Sequence, residues 1–132
     1  MSAVALVRQR RFPRRRTAVR AAREFVGEVL AEWQSVDRLD DVRLCVSELA
    51  TNAVLHGVPA GREFCVRVVR EGGVVRLEVR DSGDGLPEVR AVDDRAESGR
   101  GLPLALGLAD RGGVVEHVVG KSVWLVFEGK VE

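Results

Sequence analysis

Residues Val46 to Gly57 read VSELATNAVLHG. Val46, Leu49 and Ala53 recur at helical spacing, and Leu39 and Val42 carry the same stripe upstream, so the stretch predicts an amphipathic helix from Asp37, as N-cap, to about His56. Gly57 and Pro59 stop it. On such a helix Glu48 and Asn52 are an i, i+4 pair that shares a face at the margin of the apolar stripe. A carboxylate there can take a proton from a hydroxyl or water, and an amide oxygen is a hard ligand suited to Mg²⁺. Taken alone, the pair is more often simply two polar residues on a half-exposed helix. Its neighbours have to decide.

Working outward, Thr17 to Trp33 places Ala18, Ala21, Ala22, Phe25, Val26, Val29 and Leu30 on one helical face. Val4 to Val7 is a short apolar run that reads as an edge strand, ended by arginines and Pro13. Phe64–Val69 and Val74–Arg80 flank the turn signal REGG and read as an antiparallel hairpin. A long loop rich in glycine, proline and acids follows from Asp81 to about Gly101, and Leu102–Ala109 reads as a short helix with Pro103 in its first turn. VVEHVV and SVWLVF, joined at GK, make a second hairpin. The expected architecture is α+β: a two-layer sandwich of three helices on one face of a mostly antiparallel, mixed sheet.

The 132 residues suit one domain able to bury a real core, and 45% apolar with 31% charged residues is an ordinary globular balance. A formal net charge of +1 gives no global field toward nucleic acid or a membrane surface. The stretch RQRRFPRRR, Arg8 to Arg16, could neutralise phosphates, but it has little aromatic interleaving, so a solvated or protein-docking face is favoured. Cys45 and Cys65 fall in a helix pattern and a strand pattern, as expected of reduced thiols in a cytoplasmic protein. The N-terminus puts its apolar run ahead of its charges, the reverse of a secretory signal, and no run approaches a membrane span.

The chemistry concentrates in two glycine-bearing stretches. RDSGDGLP, Arg80 to Pro87, puts Asp81 at a strand end, where its carboxylate can accept from an exocyclic amine, and Gly83 and Gly85 let the backbone bend around a ligand. A calcium loop counted from Asp81 would need a closing glutamate at its twelfth position, which is Val92. In SGRGLPLALGLAD, Gly99 and Gly101 precede a helix whose free N–H groups can hold phosphate oxygens. Leu104 stands where a dinucleotide fingerprint needs its third glycine. GKS at Gly120–Ser122 lacks the upstream glycine of a P-loop, with Val115 in its place.

E-x-x-x-N on a helix, D-x-G-x-G after a strand, G-x-G before a short helix and a hydroxyl in a late strand together resemble the GHKL ATP-binding superfamily, which shares the Bergerat fold. The resemblance runs from about Phe12 to Phe127 and is nearest to the small stand-alone anti-sigma factor serine kinases of the RsbW and SpoIIAB type. It implies that Asn52 holds Mg²⁺ bridging the phosphates of ATP, that Glu48 is the general base or orients the attacking hydroxyl, and that Asp81 binds the adenine amine directly and through a water shared with Ser122. It further implies that Gly83 and Gly85 shape the adenine end, that Gly99, Gly101 and Leu102 cover the phosphates, and that Leu86 to Arg100 forms a mobile ATP lid. Arg100 would stabilise transition-state charge.

The implied partners are a sigma factor and a STAS-domain antagonist, with a homodimer as a further expectation and neither membrane nor direct nucleic-acid contact. A non-catalytic, nucleotide-gated binding module and a degenerate domain without nucleotide are the alternatives. Two departures stand out: Gly112 follows ADR where related sequences usually carry an aromatic, implying looser packing, and Ser122 replaces the commoner threonine.

Overall fold

The computed structural model describes residues 5–56, 63–82, 90–91, 107–116 and 120–129. Six strands, β1 (Leu6–Pro13), β2 (Glu63–Glu71), β3 (Val74–Ser82), β4 (Arg90–Ala91), β5 (Arg111–Glu116) and β6 (Gly120–Glu128), form one sheet in the order β1-β2-β3-β6-β5-β4. Every described pairing is antiparallel, in keeping with the expected mostly antiparallel sheet of a two-layer sandwich. Two helices, α1 (Arg16–Glu32) and α2 (Leu39–His56), are described in full. Of the expected third helix, only the helical residues Gly107 and Leu108 and the following Ala109 fall among the described residues.

The helices bury one stripe each against one sheet face. Ala18, Ala22, Val26, Val29 and Leu30 of α1 and Val42, Cys45, Val46, Leu49, Ala50 and Ala53 of α2 meet the inward side chains of the strands. On β3 these are Val75, Leu77 and Val79, opposite Phe127, Leu125 and Val123 of β6, the period-2 alternation that a half-buried strand requires. Phe12 closes one end of the core, its ring 5.5 Å from that of Phe64. No described helix is long and apolar enough to cross a membrane.

Boundaries differ from the sequence reading where backbone chemistry overrides side-chain pattern. β1 does not stop at the arginines but runs through them, because an edge strand is held by its ladder to β2 and leaves long cationic side chains free to reach solvent. In α2 the first helical bond runs from the Val42 N–H to the Arg38 carbonyl, so the helix begins beyond the expected cap Asp37. α1 ends in a Schellman motif: Ser35 donates to the Leu30 carbonyl (2.8 Å) and Gln34 to Ala31 (3.1 Å). Gln34 occupies the left-handed position of that motif, at φ 57°, where glycine is usual.

β4 lies inside the segment read as a loop and lid, pairing Arg90 with Glu116 and Ala91 with Val115. Two residues of strand carry no periodicity that a sequence could display.

Candidate functional site

Asp81 ends β3 on its inward face, in line with Val75, Leu77 and Val79, yet it is a buried carboxylate. Its Oδ1 accepts the backbone N–H of Lys121 at 2.9 Å, the one hydrogen bond seen for this carboxylate among the described residues. A buried carboxylate at the open end of a sheet is costly unless hydrogen-bonded.

The level of α2 relative to Asp81 follows from two tethers. Arg38, at the start of α2, donates to the carbonyl of Glu128, which stands opposite Val74 at the start of β3. From there α2 climbs about 21 Å to Asn52, and β3 about 23 Å to Asp81, at the standard rise of each element. At the other end Arg14, next after β1, donates from Nε to the Ala53 carbonyl (3.1 Å), while Phe12 and Asp81 both stand opposite Phe64. Asn52 and Asp81 therefore sit at the same end of the molecule. Glu48 is one turn of α2 below Asn52, and both are half-buried at the edge of the stripe through Leu49 and Ala53.

Ser122 does not join them. The register sets Asp81 opposite Lys121 and Arg80 opposite Ser122, and since successive side chains alternate across a sheet, Ser122 points to the face away from the helices. There it is buried between its cross-strand neighbours Arg80 and Val115. Lys121 stands on the face of Asp81, and its main-chain N–H donates to that carboxylate. Sequence reasoning missed this because only the β3–β6 register separates position 121 from 122. Gly83, Gly85, Gly99, Arg100, Gly101 and Leu102 lie outside the described residues.

The arginine stretch resolves into distinct roles. Arg14 caps the last carbonyls of α2, where a cation is favoured by the helix dipole, and Arg8 forms an ion pair with Glu32 of α1. Nothing in the stretch itself distinguishes Arg14 from its neighbours.

Arg38 is a second residue that the pattern did not reveal. Its guanidinium donates to Asp41 (3.0 Å), Asp110 (2.9 Å), the Glu128 carbonyl (3.0 Å) and the Leu108 carbonyl (2.7 Å), and lies over the Phe127 ring. Burial opposes its charge, but the bonds and charges of Asp110 and Asp41 outweigh that and raise its pKa. Asp110 is held below the usual carboxylate range, chiefly by the Glu128 N–H and then by Arg38, against the opposing effect of partial burial. This clamp fixes the segment Leu108–Asp110 to the start of α2. A cavity of about 490 Å³ beside it, lined by Gln34, Arg38, Arg70, Val74 and Phe127, is at the end of the molecule away from Asp81 and contains none of the expected site residues.

Gly112 is buried on the inward face opposite Leu125. On the other face, a Cβ at Gly113 would come within 3.0 Å of the Trp124 ring, which Arg76 covers at 4.8 Å. Both cysteines are free thiols, as expected; burial, followed by the charges of Asp41 and Glu48, pushes Cys45 up to about 12.

Residues 12–127 match the histidine kinase-like ATPase domain, and the chain belongs to that family. It is 39% identical over 72 residues to an anti-sigma F factor of Geobacillus kaustophilus, covering 52% of this chain and 49% of the relative. The match thus spans about half of that relative's length. A second anti-sigma F factor, from Halalkalibacterium halodurans, is 28% identical over 116 residues, 79% of this chain and 80% of the relative. The fold is shared with the crystal structure of the RsbU and RsbW domains of Rv1364c from Mycobacterium tuberculosis, with a TM-score of 0.72 at 22% identity over 96% of this chain and 33% of that one.

Proposed function

We propose that the chain is a cytoplasmic, Mg-ATP-binding regulator of anti-sigma type, acting as a serine/threonine protein kinase on a STAS-type antagonist and otherwise holding a sigma factor. The observation that supports this most is the buried Asp81 carboxylate, held by the Lys121 N–H at the same end as Asn52. A carboxylate so held fits the adenine amine, a flat neutral donor, in the family to which the chain belongs. The names of the anti-sigma F relatives support the sigma-factor partner.

In this reading Asp81 would accept from the adenine amine, Gly83 and Gly85 would shape that end, and the Asn52 amide oxygen would serve as a ligand for Mg²⁺. When bound, Mg-ATP supplies the transferable phosphoryl group and neutralises its charge. Glu48 would take the proton of the acceptor serine hydroxyl as that oxygen bonds the γ-phosphorus and ADP leaves, while Gly99, Gly101 and Leu102 would serve the phosphates and Arg100 would offset the developing charge.

Calorimetric titration with ATP, with and without Mg²⁺, tests the site. Saturable Mg-dependent binding, weakened at least tenfold in Asp81→Asn, is expected; no binding by folded, nucleotide-free protein, or undiminished binding in the variant, would refute it. Transfer from labelled ATP to an antagonist, abolished in Glu48→Ala while ATP binding persists, separates the kinase from a nucleotide-gated module.

A further inference from the structure

We infer that the outer edge of β1 is a docking site for an acidic, extended segment of another protein, which adds to the sheet as a seventh strand. Among the described residues β1 ends the sheet, and its eight residues pair on one side only, with β2, in an unbroken register from Leu6 opposite Arg70 to Pro13 opposite Glu63. Such an edge presents a row of main-chain donors and acceptors. Every residue of β1 except Phe12 is exposed, including Leu6 at 38% and Val7 at 45%. Helix α1 thus leaves the strand largely uncovered, and the only proline stands at its end.

The charges on this edge select the occupant. Arg8 and Arg10 stand on the helix side of the strand, in line with Phe12, and Arg11 on the other side, so a strand laid alongside meets cations on both of its faces. Arg8 is partly committed to Glu32 and Arg11 approaches Glu63 only to 3.9 Å, while Arg10 lies over the Phe12 ring. A second copy of this chain is disfavoured. Antiparallel pairing of β1 with itself opposes Arg8 to Arg11 about the strand midpoint, and a shift of one residue opposes Arg8 to Arg10 or Arg10 to itself; like charges directly opposite are destabilising. Glutamate or aspartate at those positions reverses the sign. Nucleic acid fits less well, because the one aromatic of the strand, Phe12, is buried and offers no stacking platform.

The probe is a labelled, acetylated and amidated peptide, Thr-Val-Glu-Glu-Val-Glu-Val-Thr, titrated into the full chain by fluorescence anisotropy at low and moderate salt. Three comparison ligands are the same peptide N-methylated at alternate residues, its lysine counterpart, and an oligothymidylate of matched charge. Saturable binding of the acidic peptide, at least tenfold weaker after N-methylation, with slowed amide exchange confined to Leu6–Pro13, is expected. The folded double variant Arg10→Glu, Arg11→Glu should reverse the preference toward the lysine peptide, whereas Asp81→Asn should leave binding unchanged, separating this site from the nucleotide reading. Equal binding of plain and N-methylated peptides, tighter binding of the oligothymidylate, or no saturation by either peptide up to millimolar concentration would overturn the inference.

Discussion

Replacing Arg38 by methionine removes the guanidinium while keeping an aliphatic stem over Phe127. The side chain is 17% exposed, and its partners Asp41 and Asp110 are 40% and 37% exposed, so the two ion pairs are discounted to about 0.2–1 kcal/mol each. The two carbonyl bonds, to Leu108 and Glu128, add about 0.5–1.5 kcal/mol each. Because the four bonds share one donor group they are not additive, and a total loss of about 2–3 kcal/mol is expected. Urea unfolding at pH 7 measures it, with Asp110→Asn and the double variant completing a cycle whose coupling should be about 1 kcal/mol. The pH dependence supplies a second reading. The pKa of Asp110 is lowered in the folded state, so its contribution is fully present above the ordinary carboxylate pKa and is lost as pH falls through the folded value. Wild type should therefore lose more stability than Arg38→Met on acidification from pH 6 to pH 3. A loss below about 0.5 kcal/mol at neutral pH, or parallel acid profiles, would refute the clamp.

Three further outcomes follow from local packing. Gly113→Ala sets a methyl group 3.0 Å from the Trp124 ring, and the overpacking should cost about 1–2 kcal/mol and shift Trp124 fluorescence; an unchanged spectrum and stability would show that the ring moves freely. Gly27→Ala meets only Arg43 at 3.6 Å, an ordinary contact, so the gain in helix propensity should stabilise α1 by about 0.5–1 kcal/mol in thermal unfolding. In native protein at pH 8 a thiol reagent should modify Cys65 but not Cys45, which reacts only on unfolding. Since the Cys45 pKa is raised in the folded state, stability should also fall as pH climbs above about 8.5, where only the unfolded thiol ionises.

The helices, the β2–β3 hairpin and the core stripe were legible in the chain because their signals are local: apolar spacing of 3.6 or 2 and glycine–proline punctuation. Asp81 and the Glu48, Asn52 pair were also visible, as polar groups at the ends or margins of such patterns. β1 was legible only as an apolar tetrad, since an edge strand need not bury side chains and its arginines carry no alternation. The roles of Arg14 and Arg38 were not legible, because each depends on carbonyls from segments remote in sequence.

What the sequence by itself determined is which residues face inward on each element and which stretches carry the chemistry, because side-chain periodicity is a property of consecutive residues. Only the tertiary structure decided that Lys121 rather than Ser122 shares the face of Asp81, that α2 rises to bring Asn52 to the level of that carboxylate, and that one arginine of the basic stretch caps a helix while three others line an exposed sheet edge. The physical reason is register: it is set by pairing between distant strands and by helix–sheet packing, and a slip of one residue sends every side chain to the opposite face.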